Sequence, residues 1–110
     1  MKIAVIGSRN LAVDDMDKYI PSECEEIVSG GARGIDKCAE EYAKAKGLTL
    51  TVFLPDYKRY GRGAPIVRNK QIVDYADSII AFWDGASRGT KSVIDYCGKT
   101  GKDCTVVLLS

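Results

Sequence analysis

Residues 25–47 read EEIVSGGARGIDKCAEEYAKAKG, and this stretch decides the fold. It opens with a short apolar run, residues 25–29, which predicts a buried strand closed by Gly30 and Gly31. Apolar residues then recur at helical spacing, and Gly47 stands where a helix would end. The helical stripe consists of Ile35, Cys38, Ala39, Tyr42 and Ala45. A strand, a glycine-rich turn and a helix in this order are typical of one unit of a parallel α/β sheet.

The same alternation continues in both directions along the chain. Apolar runs that end at glycine, proline, Asp-Gly or the last residues predict four more strands, over residues 2–6, 48–54, 78–83 and 103–109. One further helical stripe carries Ile66, Asn69, Val73 and Ala76, with Pro65 near its first turn. Another carries Thr90, Val93, Ile94 and Cys97, and Gly98 is expected to end it. Propensity alone predicts a short helix over residues 14–20.

Strands separated by helices imply right-handed crossovers and a parallel sheet that is covered on both faces. The sequence therefore predicts an α/β fold, a single Rossmann-like three-layer sandwich with a five-stranded parallel sheet in the order 3-2-1-4-5. A length of 110 residues allows one domain, so residues 1–110 are expected to form it together.

The composition places the chain among soluble globular proteins, since 45% of its residues are hydrophobic and 28% are charged. No apolar run approaches the roughly 20 residues of a membrane span, and the apolar run near the start is too short for a secretion signal. We therefore expect a cytoplasmic protein that does not act at a membrane.

The four cysteines form no CxxC pair, and the chain contains no histidine. Structural zinc needs clustered thiolates or imidazoles, so the sequence predicts no metal site and gives no sign of a cofactor. The absence of histidine also excludes a catalytic triad or general base that depends on imidazole.

Three of the predicted strands end in polar loops that contain glycine and arginine, over residues 7–10, 29–36 and 84–92. In an open parallel sheet, ligands bind beyond the carboxyl ends of the strands, where the strand order reverses. Each loop leads toward a helix, whose N-terminus offers unpaired N–H groups to an anion. One such terminus contributes only about 0.3–1 kcal/mol at an exposed site, so it is the convergence of three loops that predicts phosphate binding.

Two well-known phosphate-binding motifs are absent. The dinucleotide pattern GxGxxG does not follow the first strand, because Gly7 is the only glycine there. Residues 85–92 resemble a P-loop, but Thr90 stands where that motif needs its second glycine, and they follow the fourth strand. The sequence therefore argues against a nucleoside triphosphatase.

The segment between the third strand and the following helix is basic. Residues 57–63, YKRYGRG, interleave aromatic and cationic side chains, a pattern that suits base stacking together with phosphate contact. A mobile, solvated loop is the alternative interpretation. In the following helix, Asn69 falls on the predicted core face beside Arg68, and this favours an amide that points into a cavity.

Three segments in this order resemble the core of DNA-processing protein A (DprA/Smf), and nearly the whole chain falls within the resemblance. They are residues 5–9 (VIGSR), 28–36 (VSGGARGID) and 68–72 (RNKQI), of which the second is the most specific. The compact size and the spacing from Arg68-Asn69 to Gly89-Thr90 are still more similar to small stand-alone proteins of the SLOG superfamily. Those proteins are Rossmann-like and are thought to sense or process nucleotide-derived ligands.

The resemblance implies that one ligand pocket gathers residues from all three loops and from the Arg68 helix. Its members are Gly7, Ser8, Arg9, Ser29, Gly30, Arg33, Arg68, Asn69, Gly89 and Thr90. The loops add Gly31, Gly34, Asp84 and Ser87 as candidate phosphate-binding residues. In DprA-type proteins this region binds single-stranded DNA and helps to load a recombinase, whereas the net charge of this chain is only +1.

LOG-type phosphoribohydrolases of the same superfamily cleave nucleoside monophosphates with an arginine and a glutamate in a PGGxGTxxE motif. Residues 85–90, GASRGT, keep the GT but lose the PGG, and Val93 occupies the position of the glutamate. A valine cannot act as a general acid or stabilise an oxocarbenium ion. Asp36 and Asp84 are the acidic alternatives, and Asp36 is more simply interpreted as a helix-dipole partner.

These observations favour a module with little or no catalytic activity that binds a nucleotide or nucleotide-derived ligand. Its phosphate is expected on the loops over residues 29–34 and 87–90, held by Arg9, Arg33 and Arg68. Single-stranded DNA binding is the alternative, and LOG-like hydrolysis is a second, disfavoured one. The oligomeric state is left open, although related small Rossmann-like proteins often pair as homodimers.

Overall fold

A five-stranded, all-parallel sheet forms the middle layer of the computed structural model, which describes residues 1–109. The strands are β1 (Lys2–Gly7), β2 (Glu26–Ser29), β3 (Thr49–Val52), β4 (Ser78–Trp83) and β5 (Cys104–Leu108). Their spatial order is β3-β2-β1-β4-β5, so β1 lies at the centre and the order reverses between β1 and β4. The predicted α/β class, parallel sheet and strand order are confirmed.

Helices cover both faces of this sheet. They are α1 (Ile35–Lys46), the four-residue α2 (Tyr57–Tyr60), α3 (Ala64–Tyr75) and α4 (Arg88–Thr100). Single 3-10 turns lie at Met16–Lys18 and Gly61–Gly63. Helix α1 packs on one face, whereas α3 and α4 pack together on the other. None of the helices within the described residues has the length and apolarity that a bilayer crossing requires.

The central strand shows why its sequence is a continuous apolar run. Successive side chains of a strand point to opposite faces, and both faces of β1 are covered. Ile3 and Val5 belong to the core beneath α1, while Ala4 and Ile6 belong to the core beneath α3 and α4. A polar residue anywhere from position 3 to position 6 would therefore be buried.

Several predicted boundaries are wrong. β3 pairs with β2 only over Thr49–Val52, so the predicted strand is three residues too long. α4 continues through Gly98 and ends at Gly101, which adopts the left-handed conformation of a helix C-cap (φ 74°). The helix predicted over residues 14–20 is a single 3-10 turn, and α2 and a second 3-10 turn occupy residues 57–63.

Gly7 ends β1 at a point where two other elements pass close to its backbone. A Cβ atom at this position would lie 2.6 Å from Cγ1 of Ile35, in the first turn of α1, and 2.7 Å from the carbonyl oxygen of Phe82. The next amide, that of Ser8, donates a hydrogen bond to the same Phe82 oxygen at 3.1 Å. The absence of a side chain at Gly7 thus sets how closely α1 approaches the carboxyl edge of the sheet.

We expect Gly7→Ala to destabilise the protein by about 1–3 kcal/mol, because overpacking moves Ile35 or the backbone of β4. Gly98→Ala should instead stabilise it by about 0.5–1 kcal/mol, because alanine is the better helix former. Nothing lies within 4 Å of the added methyl at Gly98. Urea unfolding followed by circular dichroism measures both changes. A Gly7→Ala protein as stable as wild type would contradict the close packing of α1 against β1.

Candidate ligand-binding site

A cavity of about 380 Å³ opens at the carboxyl edge of the sheet. This volume lies within the range of about 300–1,000 Å³ that is usual for small-molecule sites. Its wall combines the loops that follow β1 and β2 with the start of α4 and one side of α3. The lining residues are Ile6, Gly7, Arg9, Asn10, Gly30, Ala32, Asp36, Pro65, Arg68, Asn69, Ile72, Ser87, Gly89, Thr90 and Val93. The crevice is where the reversal of strand order predicted it.

More than half of the predicted site residues meet at this cavity. Those in its wall are Gly7, Arg9, Gly30, Arg68, Asn69, Ser87, Gly89 and Thr90. Among residues 1–109, the predicted residues outside the wall are Ser8, Ser29, Gly31, Arg33, Gly34 and Asp84. Arg33 in particular is exposed and does not join Arg9 in the wall. Binding by the lining residues stays a prediction.

Seven lining residues are absent from the predicted set of phosphate-binding residues. These are Ile6, Asn10, Ala32, Asp36, Pro65, Ile72 and Val93. Asn10, Ala32 and Asp36 had a local signal, since they lie in the loops over residues 7–10 and 29–36. The other four had none, because an apolar residue that closes the floor of a cavity has the same pattern as a core residue.

Asp84 and Ser8 hold the turn between β4 and α4. One carboxylate oxygen of Asp84, Oδ1, accepts hydrogen bonds from the amides of Ala86 (2.9 Å) and Ser87 (2.7 Å). These two bonds hold the pKa of Asp84 below its ordinary value. The buried Oγ of Ser8 accepts from the amide of Asp84 at 3.3 Å. Both residues thus build the approach to α4, which presents Gly89 and Thr90 to the cavity.

The backbone amides of the glycine-rich loop after β2 also have hydrogen-bond partners within the protein. Asp36, in the first turn of α1, accepts through Oδ2 from the amides of Gly30 (3.2 Å) and Ala32 (3.3 Å). The amide between them, that of Gly31, donates to Oγ of Ser29 at 3.1 Å. Three consecutive amides of the loop are therefore occupied by side chains of the same βα unit. Phosphate binding by this loop stays a prediction, and these three amides would have to leave their present partners to take part in it.

Arg68 is the buried cation of the site. It is 9% exposed, and its Nη1 donates to the carbonyl oxygen of Gly30 at 2.5 Å. Its Nε donates to Oδ1 of Asn69 at 2.9 Å. A Cβ atom at Gly30 would lie 2.9 Å from Arg68 Nη1 and 2.9 Å from Asp36 Oδ2. Glycine at position 30 is therefore what lets both charged side chains reach the loop backbone.

The predicted stripe of α3 is buried at Val73 and Ala76 but not at Ile66, which is 53% exposed. The buried face also includes Ala64, Arg68 and Ile72, which follow one another at intervals of one helical turn. It is wider than the predicted stripe because α3 packs against α4 as well as against the sheet. Asn69 nevertheless lines the cavity, as predicted, through its position next to Arg68.

Burial dominates the electrostatics of Asp36 and Arg68. It raises the pKa of the Asp36 carboxyl, and the amide of Ala32 and the charge of Arg68 oppose that shift. It lowers the pKa of Arg68, and the charge of Asp36 opposes this. Each charge thus favours the ionised form of the other across the backbone of Gly30.

The basic–aromatic segment, residues 57–63, leads directly into α3. Tyr57 is exposed, and the guanidinium of Arg59 lies 5.3 Å from the ring centre of Tyr60. The side chain of Asp56 caps α2 by accepting from the amide of Arg59 at 3.2 Å. These contacts order the segment, while its cations and the Tyr57 ring face solvent.

Comparisons with protein-family models, with curated proteins and with solved structures gave no match. The resemblance to the SLOG superfamily and to DNA-processing protein A therefore stays an expectation drawn from the motifs. The fold and the cavity together define a Rossmann-like α/β protein with a polar crevice at its carboxyl edge. In the described part of the chain, no group of three histidine, cysteine, aspartate or glutamate side chains is arranged to hold a metal ion.

The stabilisation that Asp84 gives to the turn should depend on pH. Because its folded pKa lies below the ordinary value of 3.8, this contribution is present above pH 3.8 and is lost as the pH falls through the folded pKa. We expect Asp84→Asn to lower the urea midpoint at pH 6 and the difference from wild type to shrink toward pH 3. Asp14→Asn, at an exposed carboxylate away from this turn, is the control. A constant difference across this range would contradict the assignment.

Proposed function

We propose that the cavity binds a nucleotide or a nucleotide-derived phosphorylated ligand. The observation that carries this proposal is the meeting of two guanidinium groups, Arg9 and Arg68, with the N-terminus of α4 in one wall. Phosphate is the ligand group that such a combination of fixed cations and helix amides favours.

The phosphate subsite that we propose lies between Arg9 and the first turn of α4. The first amides of a helix have no partner within the helix, and α4 presents Gly89 and Thr90 to the cavity. Arg9 is exposed, so it can move to meet a ligand. Arg68 is less free, since two of its N–H groups are already bonded to Gly30 and Asn69. Its charge still favours an anion nearby.

The rest of the wall suits a sugar and a base. Amides such as those of Asn10 and Asn69 both donate and accept hydrogen bonds, which matches hydroxyls and ring nitrogens. Ile6, Ile72 and Val93 provide an apolar floor for a ring. In LOG-type hydrolases a glutamate stands at the position that corresponds to Val93. The Val93 side chain is buried and has no group that could transfer a proton, which supports ligand binding rather than hydrolysis.

Arg9→Ala should weaken nucleotide binding about tenfold or more, since a hydrogen bond to a charged group contributes about 1.5–3 kcal/mol. Thermal shift and isothermal calorimetry with a panel of nucleoside monophosphates measure the change. Lys99→Ala is the matched control, because it removes one positive charge at the opposite end of α4. Equal binding by wild type and Arg9→Ala would refute the phosphate subsite.

Single-stranded DNA binding is a second candidate function, and the exposed basic–aromatic segment is the observation that favours it. Its exposed Tyr57 ring and the cations Lys58, Arg59 and Arg62 directly precede α3, whose Pro65 lines the cavity. Stacking on an aromatic ring with cations alongside is the usual way in which proteins hold an unpaired strand. A strand would then run from the cavity across this segment.

If the segment binds DNA, the affinity for an oligonucleotide should fall steeply as salt rises, because phosphate contacts release counterions. Tyr57→Ala should weaken that affinity by about 1–3 kcal/mol through loss of one stacked base. Fluorescence anisotropy with a labelled oligothymidylate at several salt concentrations measures both effects. Mononucleotide binding should be unchanged in this variant. No binding at low salt would eliminate this candidate.

A further inference from the structure

One oxygen of the Asp36 carboxylate has no partner in the protein. Asp36 is 4% exposed, and both of the loop amides that bond to it donate to Oδ2. No donor of residues 1–109 reaches Oδ1. Over the same residues, every side-chain nitrogen or oxygen that is sealed from solvent has a hydrogen-bond partner. Oδ1 is therefore not sealed from solvent, and Asp36 is one of the residues that line the cavity.

This free oxygen restricts what can lie beside it. An ionised carboxylate only accepts hydrogen bonds, so a neighbouring ligand atom must be a donor. A phosphate oxygen next to Oδ1 would instead add a second negative charge at a buried position. The phosphate is thus directed away from Asp36, toward Arg9 and the start of α4.

Two places in this small cavity make opposite demands on the groups of a ligand. Arg9 and the α4 N-terminus favour an anion, whereas Asp36 requires a donor. A sugar phosphate carries both groups within one compact unit, because the pentose hydroxyls lie on the ring that bears the phosphate. Bare phosphate satisfies only the first demand.

We propose that Asp36 Oδ1 accepts a hydrogen bond from a ribose hydroxyl of the bound nucleotide, so that the cavity selects hydroxyl-bearing pentose phosphates. This inference rests on the proposed nucleotide binding. Burial raises the pKa of Asp36, so its negative charge is costly, and a hydroxyl donor would offset part of that cost.

The test compares the ribonucleoside 5′-monophosphate of the panel that binds most tightly with its 2′,3′-dideoxy analogue, which keeps the phosphate and base but lacks both ribose hydroxyls. We expect wild type to bind the monophosphate about tenfold more tightly, or more, as measured by calorimetry. In Asp36→Asn this preference should shrink through weaker binding of the monophosphate, because the hydroxyl then meets a neutral amide instead of a charged carboxylate. The amide retains an oxygen for the Gly30 and Ala32 amides. Glu41→Gln, on the same helix and outside this cavity, should keep the full preference.

Equal affinity of wild type for the two nucleotides would overturn the role of Asp36 while leaving phosphate binding intact. An undiminished preference in a folded Asp36→Asn protein would overturn it as well. If wild type bound no member of the panel, the proposed function itself would fall, and this inference with it. The wild-type comparison alone decides the matter if Asp36→Asn does not fold.

Discussion

The peptide backbone at Gly30 is contacted by charged side chains from both layers of helices. Asp36 of α1 accepts from the Gly30 amide on one side, and Arg68 of α3 donates to the Gly30 carbonyl oxygen on the other. Removing either partner would leave a buried polar group unsatisfied, which costs about 1–3 kcal/mol. Because α1 and α3 lie on opposite faces of the sheet, these two bonds link both helical layers to the end of β2. The lack of a side chain at Gly30 is what permits this arrangement.

The polar residues of the loops divide into two groups with different tasks. Ser8, Ser29 and Asp84 accept hydrogen bonds from nearby amides and so shape the turns. Short polar side chains readily satisfy the backbone of the turn that contains them, which leaves them little capacity for a ligand. The longer Arg9, together with Asn69, extends into the cavity wall instead. A loop with many polar residues therefore offers fewer ligand contacts than its composition implies.

The cavity combines this polar rim with an apolar floor. Ile72 and Val93 belong both to the core beneath α3 and α4 and to the wall of the cavity. The floor is thus part of the close-packed interior, and it is as rigid as the packing of α3 against α4 makes it. At position 93 this floor carries a methyl group, where an acidic side chain could have transferred a proton.

The sequence predicts the features of the fold that depend on local patterns of apolar residues. Apolar runs and helical stripes are local signals, and the handedness of parallel crossovers converts their order into a topology. The strand order and the meeting of three loops at one edge were predictable for that reason. The burial of Arg68 and the exposure of Ile66 on α3 were not, because they depend on how α3 packs against both α4 and the sheet. Nor was the exclusion of Arg33 from the cavity wall, or the pairing of Asp36 with the amides of its own loop. Spacing along a chain tells which side chains share a face, but only the packed structure decides what each face meets.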